Sequence, residues 1–150
     1  MVIAGEKAPD VALKDSEGNL VKLTDFKGKE VVLYFYPKDD TPGCTAEACS
    51  FRDSYGKFLK KGIAVLGVSR DTEKSHKKFR EKYSLPFPLL SDPDALVCKA
   101  YGAWGKKKFM GREYEGIIRM TFLIDKKGVI GEVVKEIVCD THGADIFQKV

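Results

Sequence analysis

Val31-Val32-Leu33-Tyr34-Phe35-Tyr36 is an almost unbroken apolar run that leads through Pro37-Lys38-Asp39-Asp40 into Thr41-Pro42-Gly43-Cys44-Thr45-Ala46-Glu47-Ala48-Cys49. Periodicity alone does not assign so short a run, but its length and its β-branched and aromatic content predict a buried central strand. Thr41 and Pro42 then predict a helix start, because threonine is a good N-cap and proline suits the first helical position. Phe51, Tyr55, Phe58 and Leu59 recur at the spacing of a buried helical stripe, and Gly62 ends it. Ile63-Ala64-Val65-Leu66-Gly67-Val68 reads as the next strand. Strand, helix, strand in this order is a crossover, so the two strands are expected to run parallel.

The same reading extends in both directions. Val11-Ala12-Leu13 and Leu20-Val21-Lys22-Leu23 flank Asp15-Ser16-Glu17-Gly18-Asn19 and predict a hairpin near the amino end. A second helix is expected over Thr72 to Tyr83, stopped by Pro86 and Pro88, with Leu89-Leu90 as a short edge strand. Ser91-Asp92-Pro93-Asp94 predicts another helix start, continued by Ala95, Leu96, Val97, Ala100 and Tyr101. Gly102 to Gly116 reads as a loop with some extended character. Arg119 to Ile124 and Val129 to Val134 predict strands joined by a turn at Asp125-Lys126-Lys127-Gly128. A short terminal helix is expected over His142 to Lys149. The sum is an α/β chain: one domain over residues 1–150, a mixed central sheet flanked by helices, and an amino-terminal hairpin.

Composition narrows the function. With 26 basic and 22 acidic residues the net charge is only +4, and the basic clusters Lys60-Lys61 and Lys106-Lys107-Lys108 are short. No reading element or broad basic patch points to nucleic acid. No apolar run is long enough to span a bilayer. The start at Met1-Val2-Ile3-Ala4-Gly5-Glu6-Lys7 lacks the basic and apolar regions of a signal peptide, so a cytoplasmic location is expected. Four cysteines are too few for a disulfide scaffold, and in a reducing compartment a close pair points to redox, catalytic or metal chemistry.

Cys44 is the main candidate. The first turn of a helix carries backbone N–H groups without helical partners, and these stabilise a negative sulfur. The Thr41 hydroxyl, three residues earlier, can reach the sulfur or a substrate. Arg119, at the head of a predicted core strand, is a candidate cation. Cys49 sits five residues on, and on an ideal helix the two Cα atoms would be about 8.6 Å apart. A disulfide spans about 4.4–6.8 Å. Cys44 and Cys49 therefore cannot pair unless the helix unwinds. The Cys-x-x-Cys pair of a dithiol oxidoreductase is absent. Cys139-Asp140-Thr141-His142 has the spacing of half a zinc site but no evident partner pair, and no metal is expected. Cys98 reads as a core thiol, His76 as a surface residue, and Cys139 and His142 as exposed residues of low consequence.

The run Tyr36 to Thr45 with Glu47-Ala48-Cys49 and Phe51-Arg52 resembles the peroxiredoxin Q / bacterioferritin comigratory protein group of the peroxiredoxin family. The likeness extends to Gly5-Glu6-Lys7-Ala8-Pro9-Asp10, to Gly67-Val68-Ser69-Arg70-Asp71, to Leu89-Leu90-Ser91-Asp92-Pro93 and to Arg119-Met120-Thr121-Phe122-Leu123-Ile124-Asp125. It implies a thioredoxin-like fold and a thiol peroxidase, an antioxidant enzyme acting on hydrogen peroxide and organic hydroperoxides. By resemblance, Cys44 is the peroxidatic cysteine, Thr41 orients peroxide and sulfur, and Arg119 holds the thiolate. Pro37, Pro42 and Gly43 line the pocket, and Cys49 resolves the sulfenic acid into an intramolecular disulfide. Thioredoxin or a glutaredoxin-like protein is the implied reductant, no metal, haem or flavin is required, and the chain is expected as a monomer with a dimer as the alternative. The stretch Glu136 to Ala144 departs from the family pattern through the extra Cys139. Cys98 lies near where some relatives place a resolving cysteine. Other functions on the same fold are a chaperone-like or signalling protein and a general disulfide oxidoreductase.

Overall fold

The computed structural model describes residues 2–150; Met1, where the reading of the amino end begins, lies outside them. β1 (Ala12–Lys14) and β2 (Leu20–Lys22) form the predicted hairpin, followed by a 3-10 turn at Leu23–Phe26. β3 (Val31–Phe35), α1 (Pro42–Lys60) and β4 (Ala64–Ser69) make the crossover, and β3 and β4 pair in parallel as expected. α2 (Glu73–Tyr83), β5 (Leu89–Ser91) and α3 (Leu96–Ala100) follow. β6 (Trp104–Phe109) and β7 (Arg112–Ile117) form a separate two-stranded hairpin. β8 (Met120–Ile124), β9 (Ile130–Val134) and α4 (His142–Phe147) complete the chain.

The main sheet has the order β2-β1-β5-β4-β3-β8-β9. β3 is its buried centre, with β4 parallel on one side and β8 antiparallel on the other. Successive strand residues point to opposite faces, and β3 shows it directly. Val31, Leu33 and Phe35 join the core beneath α3 and the amino-terminal segment. Val32 and Tyr34 join the core that α1, α2 and α4 cover, with Cys44, Phe51, Phe58, Phe79 and Ile146.

Register places the site. Met120 stands opposite Phe35. Arg119, one residue before β8, therefore sits at the end of β3 from which the chain turns into α1. The crossover brings the helix start to that point, and the neighbouring antiparallel strand supplies the cation.

Four expectations are corrected. β5 is not an edge strand: it lies between β4 and β1, because the amino-terminal hairpin covers its free side. Ser91 does not cap α3. It ends β5 and its hydroxyl donates to the Asp71 carbonyl, while Asp92 accepts from the Cys98 N–H, so the helix begins only at Leu96. The stretch 102–116 is largely a hairpin, turning at Met110 and Gly111, both at positive φ. His76 is buried, not on the surface: its Nδ1 lies 2.7 Å from Asp39 Oδ2 and its Nε2 3.0 Å from the Leu90 carbonyl. α2 turns His76 and Phe79 inward, and the lysines around them occupy its other side.

Candidate active site

Cys44 lies in the first turn of α1 and is 2% exposed. Thr41 occupies the N-cap position with extended φ and ψ, but its side chain does not cap. Its hydroxyl donates to the Lys38 carbonyl at 2.8 Å and so ties the Pro37–Asp40 connection. Pro42 has no N–H to satisfy. The Thr45 N–H makes the first helical bond, to the Thr41 carbonyl. The Gly43 and Cys44 N–H groups ahead of it are orphan groups of a helix start, in the turn that carries the sulfur. Pro37 and Gly43 are half-buried beside this turn and Pro42 is exposed.

Arg119 reaches the same turn from the β7–β8 connection. Its Nη2 donates to Cys44 Sγ at 3.3 Å and its Nη1 donates to Glu47 Oε1 at 2.6 Å. The guanidinium is thus held in one plane by two partners on one helix, a fork that a lysine cannot reproduce. Burial works against its charge, but Glu47 and Cys44 more than compensate and raise its pKa above the ordinary arginine value. The side chain keeps 22% exposure, so the cation also faces the outside of the site.

Glu47, given no role by the sequence, belongs to the same cluster. It is 0% exposed, and burial pushes its carboxyl up to about 7 against the lowering pull of Arg119. Oε1 takes the arginine, while Oε2 has no hydrogen-bond partner among the described residues. His142 of α4 comes within 3.7 Å of Oε2. Burial lowers the His142 pKa to about 4, with Arg119 adding to the effect and Asp145 opposing it. The ring is therefore neutral near neutral pH and shares its Nε2 with the Thr121 hydroxyl at 2.7 Å. Thr121, His142, Glu47 and Cys44 are buried and Arg119 half-buried, and together they form one row from β8 to the sulfur. The sequence signals for Glu47 were its place in the run Glu47-Ala48-Cys49 and its spacing, three residues after Cys44 and so on the same helix face.

The expected exposure of His142 and Cys139 is corrected. α4 crosses α1 so closely that a side chain at Gly143 would collide with the Ser50 and Phe51 backbone, and the Gly143 N–H donates to Ser50 Oγ at 2.6 Å. That crossing carries His142 inward. Cys139 is half-buried, and its Sγ lies 3.7 Å from where a side chain at Gly43 would begin. Cys98 is a core thiol as expected: it is fully buried beneath the opposite face of the sheet, and burial raises its pKa far above the ordinary value. Cys49 is half-buried in the same continuous helix as Cys44, and all four cysteines are free.

One cluster outside the site has a set of metal-ligand types: Asp39, Asp71 and His76. Its groups are bonded to one another and to the backbone. Asp39 binds His76, Ser75 and the Tyr36 hydroxyl, and Asp71 takes the Asp39 N–H and the Ser69 hydroxyl. This network fastens the connection before α1 to α2. The surface hollows near Ile63 and Val150 and near Phe26 and Lys127 lie away from Cys44. Among the described residues, no helix is long and apolar enough to cross a membrane.

The comparisons agree with this geometry. The model of the AhpC/TSA family matches residues 4–133. The Bacillus subtilis protein named Peroxiredoxin Bcp is 49% identical over 144 residues, covering 96% of this chain and 92% of that one. The Escherichia coli Peroxiredoxin Bcp is 48% identical over 139 residues, covering 93% and 89%. A solved cysteine-to-serine mutant of Xylella fastidiosa PrxQ superposes with a TM-score of 0.92 at 36% identity, covering 99% of this chain and 94% of that one. The fold is thioredoxin-like.

Proposed function

The chain belongs to the AhpC/TSA family and is a peroxiredoxin, reducing peroxides with electrons from thiols, and from that premise we propose that Cys44 is the sulfur that attacks the peroxide. The observation that carries the assignment is the Arg119 fork, with one N–H on Cys44 Sγ and another on the fully buried Glu47. The guanidinium N–H and the helix start meet at the sulfur whose thiolate form is the nucleophile. The thiolate forms the S–O bond and the O–O bond breaks. The distal oxygen leaves with its electron pair, takes a proton, and departs as water or an alcohol; the sulfur is left as sulfenic acid. Arg119, partly exposed, meets the negative charge that develops on the peroxide. Thr41, Pro37, Pro42 and Gly43 shape the approach, with Thr41 fixed by its bond to Lys38.

Cys49 then displaces the hydroxyl from Cys44 and forms the disulfide. Both cysteines belong to α1, so this step requires its first turns to unwind. Glu47 lies between them and must leave its buried pairing with Arg119 in the same motion. Thioredoxin or a glutaredoxin-like dithiol protein restores the pair by exchange. We read the chain as one domain, monomeric, working in the cytoplasm.

Peroxide consumption with a thioredoxin system tests this in wild type, Cys44→Ser and Cys49→Ser. Cys44→Ser should be inactive. Cys49→Ser should still consume peroxide at Cys44 but lose most of its thioredoxin-driven turnover, keeping only what a second resolving thiol carries. Rapid peroxide reduction by Cys44→Ser would overturn the assignment.

A further inference from the structure

Cys139 is the one thiol outside α1 that the fold brings to the Cys44 site. Its sulfur is 3.7 Å from the point where a side chain at Gly43 would begin, and that same point is 3.3 Å from Arg119 Nη2. Arg119 Nη2 is in turn 3.3 Å from Cys44 Sγ. A side chain at Gly43 would therefore touch both the Cys139 sulfur and the guanidinium that holds Cys44. Arg119, Glu47 and Cys44 all act electrostatically on the Cys139 thiol, as groups sharing a small volume do. The unpartnered Glu47 Oε2 belongs to the same cluster. Cys98, the other spare thiol, is excluded by its place beneath the opposite face of the sheet.

The backbone around Cys139 also differs from that around Cys49. Cys139 lies in the connection between β9 and α4, outside any helix or strand. Moving its sulfur breaks no helical ladder, whereas moving Cys49 towards Cys44 dismantles the start of α1.

We propose that Cys139 is a second resolving thiol, able to capture the Cys44 sulfenic acid while α1 stays folded. The inference rests on the reading of Cys44 as the peroxide-attacking sulfur. The Cys139 sulfur attacks the Cys44 sulfur, the S–O bond breaks, and a disulfide forms. The hydroxyl leaves with its electron pair and takes the thiol proton, so the by-product is water. The sulfenic sulfur is reduced and Cys139 is oxidised to the same level, with no further oxidant. Burial raises the Cys139 pKa, opposed by Arg119, which keeps the thiol a poor competitor for peroxide itself. The resulting disulfide joins α1 to the carboxyl-terminal segment and is open to exchange with a dithiol.

The test uses the full chain as Cys49→Ser, with Cys49→Ser/Cys139→Ser as its control, each treated with one equivalent of hydrogen peroxide. Peptide mapping without reductant should find the Cys44 peptide joined to the Cys139 peptide in the first variant. Its sulfenic acid, followed by dimedone trapping, should live at least about tenfold less long than in the double variant, as expected for a thiol held close to its target. If both variants consume peroxide, have equal sulfenate lifetimes and give no linked peptide, Cys139 is not a resolving thiol. If neither consumes peroxide, the reading of Cys44 falls as well.

Discussion

Glu47→Gln removes a charge that the fold buries completely while keeping an oxygen for Arg119. The carboxyl sits at about 7, against an ordinary value of 4.5. At 1.36 kcal/mol per pH unit, that difference amounts to about 3 kcal/mol. The folded protein holds the proton more tightly than the unfolded chain, so folding stability falls as pH rises from 4.5 to about 7 and is level above it. His142 acts in the opposite sense. Its pKa is lowered from 6.5 to about 4, so its contribution is present above 6.5 and lost as pH falls towards 4. The two effects overlap and partly cancel in the wild type, which is why the variant is needed to separate them. Urea unfolding of both proteins across pH supplies the comparison. Near about pH 8 the glutamine variant should be the more stable by up to ~3 kcal/mol, and the advantage should shrink towards zero below about pH 4.5. Amide exchange at residues 42–52 should slow in the variant at the higher pH, because Glu47 lies in the turns that must open. A difference that does not vary with pH, or a wild type that is the more stable near pH 8, would refute the reasoning.

Arg119→Met should leave the fold in place and slow the reaction with peroxide by about 10²–10³, measured by competition for peroxide, with Arg119→Lys recovering little of it. Tyr34→Phe removes a buried hydroxyl that has no hydrogen-bond partner among the described residues. It should raise unfolding stability by about 1 kcal/mol in urea titration, and a loss of stability would reveal a partner for that hydroxyl. Gly143→Ala should push α4 away from Ser50 and cost about 1–3 kcal/mol in the same assay. A silent substitution there would mean that the two helices part without strain.

The crossover and the Cys44 turn were legible in the sequence because local signals agreed. The apolar run at 31–36, the Thr41-Pro42 start and the stripe through Phe51 and Phe58 each point to the same arrangement. From position alone Arg119 was legible only as a candidate, and the family resemblance supplied its role, since its distance from Cys44 depends on β8 pairing with β3 in a particular register. His142, Cys139 and Glu47 were missed for a related reason. Nothing local says that α4 crosses α1 at Gly143, and that crossing is what buries His142. Leu89-Leu90 reads as an edge strand because the return of the amino-terminal hairpin onto β5 is a long-range contact. The β6–β7 hairpin was obscured because its strands are mostly exposed and rich in charge, leaving no apolar alternation to read.

The central claim is one of motion: the helix that activates Cys44 must come apart at its start for Cys49 to reach it. Amide hydrogen exchange across residues 41–52 in Cys139→Ser protein, reduced against peroxide-oxidised, tests it most directly. Removing Cys139 confines resolution to Cys49. The account predicts strong protection of the first turns of α1 in the reduced protein and its loss on oxidation, with the turns beyond Ser54 still protected. Equal protection in both states, with a Cys44–Cys49 disulfide verified by mass, would contradict it.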